Sequence, residues 1–275
     1  MSDAVEKNPW GGLKAFTNAR IALGRAGNGL PTAPLLAFNL SHAQARDAVH
    51  QPLDAEALRR ALEAEGFATL GVQSAAPDRQ HYLRRPDLGR RLSEASRVAL
   101  AGSMELAGSA GLVGAAGLLR GEPPDVVFVI GDGLSAFAAA KQAVPLLLAA
   151  RARLAGWRIG PVVVARQARV ALGDEIGELL GAKLVAMLIG ERPGLSSPDS
   201  LGVYLTYAPK VGCHDAQRNC ISNVRPEGLS YEAAAHKLHY LLTHARRLGL
   251  TGVGLKDDSD ATLPAGAQGG KLTAA

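Results

Sequence analysis

The groups best placed to bind or react lie between Lys183 and Tyr207, in KLVAMLIGERPGLSSPDSLGVYLTY. A carboxylate and a guanidinium, Glu191-Arg192, stand directly after the apolar run Leu184–Ile189 and Gly190. Ser196, Ser197, Asp199 and Ser200 follow in one tight loop. A run so short and so apolar suits a strand buried on both faces of a parallel sheet. Polar groups at the carboxyl end of such a strand are where open α/β sheets bind ligands. The loop is the first candidate for a binding site. Its serines lack a G-x-S-x-G elbow, which argues against a hydrolase nucleophile.

Other chemistry-bearing residues are sparser. VVFVIGDGLSA satisfies G-x-G-x-x-A after a strand and before a helix, where a dinucleotide fingerprint belongs. Asp132 between its glycines would repel the pyrophosphate that the backbone amides should cradle. The next strand ends in Ala165-Arg166, without the acidic residue that would hold a ribose. His236, His239 and His244 share a helical stretch, but no carboxylate or further histidine at matching spacing completes a metal set, so a packed or solvated face is the simpler reading. Cys213 and Cys220, the only cysteines, form no C-x-x-C and fit a reducing compartment. There is no P-loop. His, Ser and Cys therefore supply no recognisable catalytic set, and no metal site is expected.

The elements that position these groups follow from hydrophobic periodicity. At 275 residues, 47% hydrophobic and 20% charged, the chain is long enough for a substantial core. The formal charge of +5 comes with acids and arginines intermixed and no polybasic block, which argues against nucleic-acid binding. The N-terminus has no apolar signal region, and the longest apolar stretch, Leu106 to Leu119, is too short and glycine-rich to span a bilayer. A cytoplasmic protein is expected. Residues 1–65 read as a strand-poor helical region, with helices from Trp10 to Ala22, after Ser41 and after Asp54. The first strand is expected at Phe67–Val72. An arginine-rich loop follows, holding Arg79, Arg84, Arg85, Arg90 and Arg91, and then an Ala/Gly-rich connection from Ala99 to Leu119. From Val126 strands and helices alternate with short loops, which means βαβ units and a parallel sheet. Val253–Leu255 is a candidate last strand, and residues 257–275 a disordered tail. The expected fold is α/β: a Rossmann-like, mostly parallel sheet over residues 66–256, flanked by helices, with a helical N-terminal region.

In that architecture four strand ends deliver distinctive residues to one edge. They are Asp132-Gly133, Val170 with its neighbours, Glu191-Arg192, and Cys220, Ser222 and Asn223 of RNCISN. Such a crevice, with one carboxylate, hydroxyl and amide groups and apolar walls, suits a large flat ligand rich in amides.

These loops also carry a resemblance. NPW, FTNARIALGRAG, HAQARDAVH, APDRQHYLRRPDLGRRL, DGLSA, RVALGDEIGELLGA, LIGERPGLSSPDSLGVYLTY and RNCISN, in this order between about residues 8 and 256, closely resemble the small (light) subunit of ethanolamine ammonia-lyase. That resemblance implies an adenosylcobalamin-dependent carbon–nitrogen lyase acting through radicals on ethanolamine. Residues 1–65 would dock on a large catalytic subunit, residues 66–256 would form the cobalamin-binding domain, and the assembly would be a hetero-oligomer, free in the cytoplasm or inside a bacterial microcompartment. The family's small-subunit cofactor contacts fall on Val170, Glu191 and Cys220, with no catalytic residue on this chain. The absence of D-x-H-x-x-G implies that the cofactor's own base stays on cobalt. Two other readings stay open: a nicotinamide oxidoreductase using GDGLSA, and a non-catalytic adaptor docking through residues 79–91.

Overall fold

The computed structural model describes residues 8–17, 19–109 and 123–262. The polar start (1–7), the part of the Ala/Gly-rich stretch from residue 110 onward and the tail past residue 262 lie outside the described residues. A 3-10 turn, Pro9–Phe16, comes first, with the Asn8 side chain accepting from the Trp10 amide at 3.0 Å. It stands where an α-helix from Trp10 was expected, because Gly11-Gly12 weakens helix propensity and the chain is already extended at Thr17. Helix α1, Thr32–His50, begins well before Ser41, which sits inside it rather than capping it. Pro34 falls in its first turn, where a missing amide costs no hydrogen bond. Asp54 does cap α2, Ala55–Ala64, accepting from the Ala57 amide at 2.9 Å.

The remaining elements are β1 (Thr69–Gln73), α3 (Arg79–Arg84), α4 (Glu94–Ser109), β2 (Val126–Gly131), α5 (Ala136–Arg153), β3 (Val162–Arg166), α6 (Leu172–Leu179), β4 (Leu184–Gly190), β5 (Leu201–Tyr207), β6 (Arg218–Val224) and α7 (Tyr231–Leu248). One six-stranded sheet runs in the order β1-β3-β2-β4-β5-β6. Strands β1, β3, β2 and β4 pair in parallel, whereas β5 is antiparallel to both β4 and β6. The Glu191–Ser200 loop is thus a hairpin connection, and β6 points the same way as β4.

Several expectations change. RNCISN is strand β6 itself, so Cys220 lies within a strand and not in a strand-end loop. The arginine-rich stretch is α3 followed by a 3-10 turn, Leu88–Arg90, with Asp78 capping α3. Gly252–Gly254 forms a 3-10 turn in place of a last strand, with Gly252 at φ 81°. The first residues of the supposed disordered tail are ordered: Ser259 is buried, and the Lys237 ammonium meets Asp257 at 3.3 Å and Asp260 at 2.6 Å.

Helices cover both faces of the sheet. On one, Val126, Phe128, Ile130, Leu184, Ala186 and Leu188 pack against α2, α5 and α7. On the other, Val127, Val129, Val185 and Met187 pack against Leu100 of α4 and against Leu172 and Ile176 of α6. Strands β2 and β4 are buried at every position, which is why they read as unbroken apolar runs. Each fully buried Leu, Ile, Val or Phe stabilises the sandwich by about 1.5–3 kcal/mol.

Candidate functional site

The chain leaves β2 for α5 on one face of the sheet, and β3 for α6 on the other. That divergence opens a crevice at the carboxyl edge. Asp132, buried at its floor, accepts from the amides of Gln167 (2.9 Å) and Ala168 (2.8 Å) and from Arg79 Nη1 (3.4 Å). Desolvation pushes its carboxyl above the usual range, opposed by the Ala168 amide and the Arg79 charge. Its work is to tie the end of β2 to the turn after β3, where Gln167 adopts a left-handed φ of 56°. Gly133, at φ 52°, lies so close to β4 that an added Cβ would run into the Gly190 carbonyl oxygen. The Leu134 amide donates to that same oxygen at 2.9 Å. The glycine of GDGLSA is thus used for backbone packing, and its aspartate occupies the amides of the neighbouring loop. This turn does not offer a pyrophosphate cradle, and the nicotinamide reading loses its basis.

A cavity of about 480 Å³ opens above this floor, lined among others by Tyr82, Gly133, Arg169, Val170, Glu191, Tyr204 and Ser222. Val170 and Glu191, far apart in sequence, therefore face one space. Cys220 does not line it but is the register partner of Tyr204 across β5 and β6. The Glu191 carboxylate is firmly held: Oε1 accepts from Ser222 Oγ at 2.5 Å, and Oε2 accepts from the Asn223 amide at 3.2 Å and from Ser200 Oγ. A carboxylate offers about four acceptor positions, so these three bonds leave roughly one for a ligand N–H. Desolvation raises the Cys220 thiol, the bond to Tyr204 lowers it, and the Glu191 charge adds to the rise. A thiol raised in this way stays protonated at neutral pH and is a poor nucleophile. Tyr204 is raised by desolvation, Cys220 and Glu191 together, and so stays a neutral phenol.

The loop carrying Glu191 is anchored at its far end. Asp199 accepts from Lys141 Nζ at 2.7 Å and from Gln142 Nε2 at 3.2 Å, both on α5, and meets Arg225 Nη1 at 3.4 Å. Ser135, the cap of α5, donates its hydroxyl to the Pro198 carbonyl at 2.8 Å. A helix, a strand and the loop thus hold one another, and Glu191 presents its carboxylate from a fixed backbone.

Comparison with known proteins bears on this arrangement. The family model described as ethanolamine ammonia-lyase light chain (EutC) matches residues 7–256. The chain belongs to the ethanolamine ammonia-lyase light chain family. It is 54% identical to the ethanolamine ammonia-lyase small subunit of Ralstonia nicotianae, over 94% of this chain and 92% of that one. To the small subunit of Azotobacter vinelandii it is 52% identical, over 98% and 97%. To that of Pseudomonas aeruginosa it is 53% identical, over 94% and 91%.

In this member of the light-chain family, sequence reasoning missed Tyr204, Tyr82 and Arg169. Tyr204 sits between buried Val203 and Leu205 but on the opposite face, where helices no longer cover the sheet; the alternation of β5 carried that signal. Tyr82 is fully buried, donates to the Ala168 carbonyl at 3.0 Å and has the guanidiniums of both Arg79 (4.7 Å) and Arg169 (4.3 Å) over its ring. No sequence spacing reveals that cluster. His236 bonds the Ser259 carbonyl and His244 the Tyr240 carbonyl, each at a helix-packing position. Among the described residues no group of three or more His, Cys, Asp or Glu could hold a metal ion, and no helix is long and apolar enough to cross a membrane.

Proposed function

We propose that the chain is the small subunit of an adenosylcobalamin-dependent ethanolamine ammonia-lyase, which converts ethanolamine to acetaldehyde and ammonia together with a large catalytic subunit. Family membership supports the activity. The observation that carries the chain's own role is the meeting of Val170, Glu191 and Tyr204 around one cavity at the carboxyl edge of a Rossmann-like sheet, with Cys220 paired to Tyr204 outside its lining.

The residues present suit a corrinoid. Its rim carries neutral amide groups, and Glu191 has an acceptor position to spare for one of them. Val170 and the ring of Tyr204 supply apolar wall, and Cys220, protonated, stands across from Tyr204 on β6. Held by these residues, adenosylcobalamin would supply the radical chemistry of the reaction. This chain's groups bind and orient the cofactor and keep water from one side of it. None is placed to move a proton on ethanolamine. A cavity of about 480 Å³ is of the size that holds a drug-like molecule, and a corrinoid is much larger. The rest of it would be covered by the large subunit, onto which the N-terminal region, residues 1–65, would dock through the exposed Trp10, Phe16, Leu36 and Leu40. The complex would work in the cytoplasm, free or within a protein-shelled microcompartment.

The test is reconstitution of the two subunits, with cobalamin-dependent acetaldehyde release as readout. Full turnover by the large subunit without this chain would overturn the reading. With the complex in hand, Glu191→Ala is expected to weaken cobalamin binding roughly tenfold, the loss of one charge-assisted hydrogen bond, and to leave the KM for ethanolamine within about twofold, since uniform loss of substrate binding is not expected from a cofactor contact. Equal loss on both would assign Glu191 to the substrate.

A further inference from the structure

Several arginines around the sheet's carboxyl edge and its flanks are matched by carboxylates. Arg79 meets Asp132 at 3.4 Å, Arg85 meets Asp87 at 2.7 Å, and Arg97 meets Glu175 at 2.8 Å and Glu94 at 3.1 Å. Arg169 and Arg90 are among the arginines that have no carboxylate partner in the described residues, and they line one cavity together. The Gln167-Ala168 turn, pinned by Asp132, lays the Arg169 guanidinium over Tyr82, 4.3 Å from the ring centroid. Its Nη2 donates to the Tyr82 carbonyl at 3.3 Å, while Nε is buried with no acceptor. A charged donor held off water without a partner is costly and calls for an explanation.

Arg169 and Arg90 both line a second cavity, of about 340 Å³, which shares Arg169, Val170 and Tyr204 with the cavity at Glu191. Arg218 also lines it, but is already neutralised by Asp174 at 2.6 Å and Asp215 at 3.3 Å. Asp215, whose side chain is 98% exposed, stands at the rim and is turned to Arg218. The cavity interior thus keeps two unmatched guanidiniums. The adjoining cavity presents an acceptor instead, the Glu191 carboxylate. One ligand spanning both would carry N–H groups at one end and an anion at the other. Planar guanidinium forks favour a phosphate oxyanion.

We propose that Arg169, assisted by Arg90, binds the phosphodiester in the nucleotide tail of the corrinoid, while Glu191 takes an amide of its rim. The assignment rests on the cobalamin reading above. It makes this chain a sensor of whether the corrinoid is complete, because a corrinoid lacking its tail would lose the arginine contact and keep the Glu191 one.

The experiment measures equilibrium binding of cyanocobalamin and of dicyanocobinamide, which lacks the nucleotide tail, to the complex of full-length chain and large subunit. Arg169→Gln is expected to weaken cyanocobalamin roughly tenfold, as for one lost charge-assisted bond, and to leave dicyanocobinamide within about twofold, as for an untouched contact. Arg90→Gln, at an exposed position where folding is not at risk, is expected to give the same selective loss at roughly threefold. Equal losses on the two corrinoids, or none on either, overturn the phosphate contact and leave the cobalamin reading standing. If the unaltered complex binds neither corrinoid, the cobalamin reading fails and this assignment falls with it.

Discussion

At the scale of single residues, the site depends on backbone contacts that leave no space for side chains. Gly133 is held at φ 52° with its α-carbon against the Gly190 carbonyl, and an added Cβ at Gly190 would in turn meet the Ser135 carbonyl. These two glycines let the β2–α5 turn lie on the end of β4, which sets where Glu191 begins. Gly133→Ala combines a left-handed backbone with an overlap on main-chain oxygen, which cannot swing away as a side chain would. The expected cost is roughly 2–5 kcal/mol, read as a lower denaturant midpoint with an unchanged slope. A change under half a kilocalorie would mean that the turn can shift away from β4. Glu191 was legible in the sequence because it follows an unmistakable buried strand. Cys220 was picked with Ser222 and Asn223 as a strand-end residue, but its place inside a strand was not legible, since RNCISN is too polar to announce one. Half of its side chains face solvent or cavity. Arg169 could not be picked from the other arginines without knowing which of them have acidic partners.

At the scale of elements, the Glu191–Ser200 hairpin is held by an ion cluster that pH can dissolve. Desolvation alone would raise the Asp199 carboxyl, but the Lys141 bond and charge and the Arg225 charge hold it below the usual range. A depressed folded-state value means the cluster stabilises the protein fully above the unfolded value, near 3.9, and that this stability is lost as pH falls through the lower folded one. Lys141 is 45% exposed, so the contribution is modest, about 1–2 kcal/mol at neutral pH. Thermal melts of the native protein and Asp199→Asn should therefore differ at pH 7 and converge as the pH falls through the depressed folded-state value of Asp199. A gap that persisted unchanged into acid would mean that the charge of Asp199 is not what anchors the loop. The strands on either side of this hairpin show the limit of periodicity. Apolar runs marked β4 and β5, but an apolar run carries no direction: β5 turns back on β4 through the short connection at residues 191–200, and β6 turns back on β5 through residues 208–217. The arrangement of β2, β3 and β4 was legible because each is separated from the next by a helix, which forces a parallel crossover.

At the scale of the whole molecule, the sheet and its two helix layers bury nearly every large apolar side chain, while the N-terminal elements do not. Phe16 is 71% exposed, Leu36 61% and Leu40 60%, and Ala48 alone is buried along the length of α1. Helix α1 therefore takes little of its stability from this chain's core, and an exposed apolar surface on that scale marks a place for a partner. If that partner is the large subunit, Leu36→Asp with Leu40→Asp should leave the melting curve of the isolated chain almost unchanged. Exposed substitutions of this kind fall within about 0.5 kcal/mol. Each buried leucine, by contrast, contributes about 1.5–3 kcal/mol to an interface core, so co-purification with the large subunit should fall by well over tenfold. Undiminished co-purification would move the docking surface off α1. A matching fall in the stability of the isolated chain would show instead that α1 packs on its own domain, and that the exposed leucines serve the fold and not the assembly.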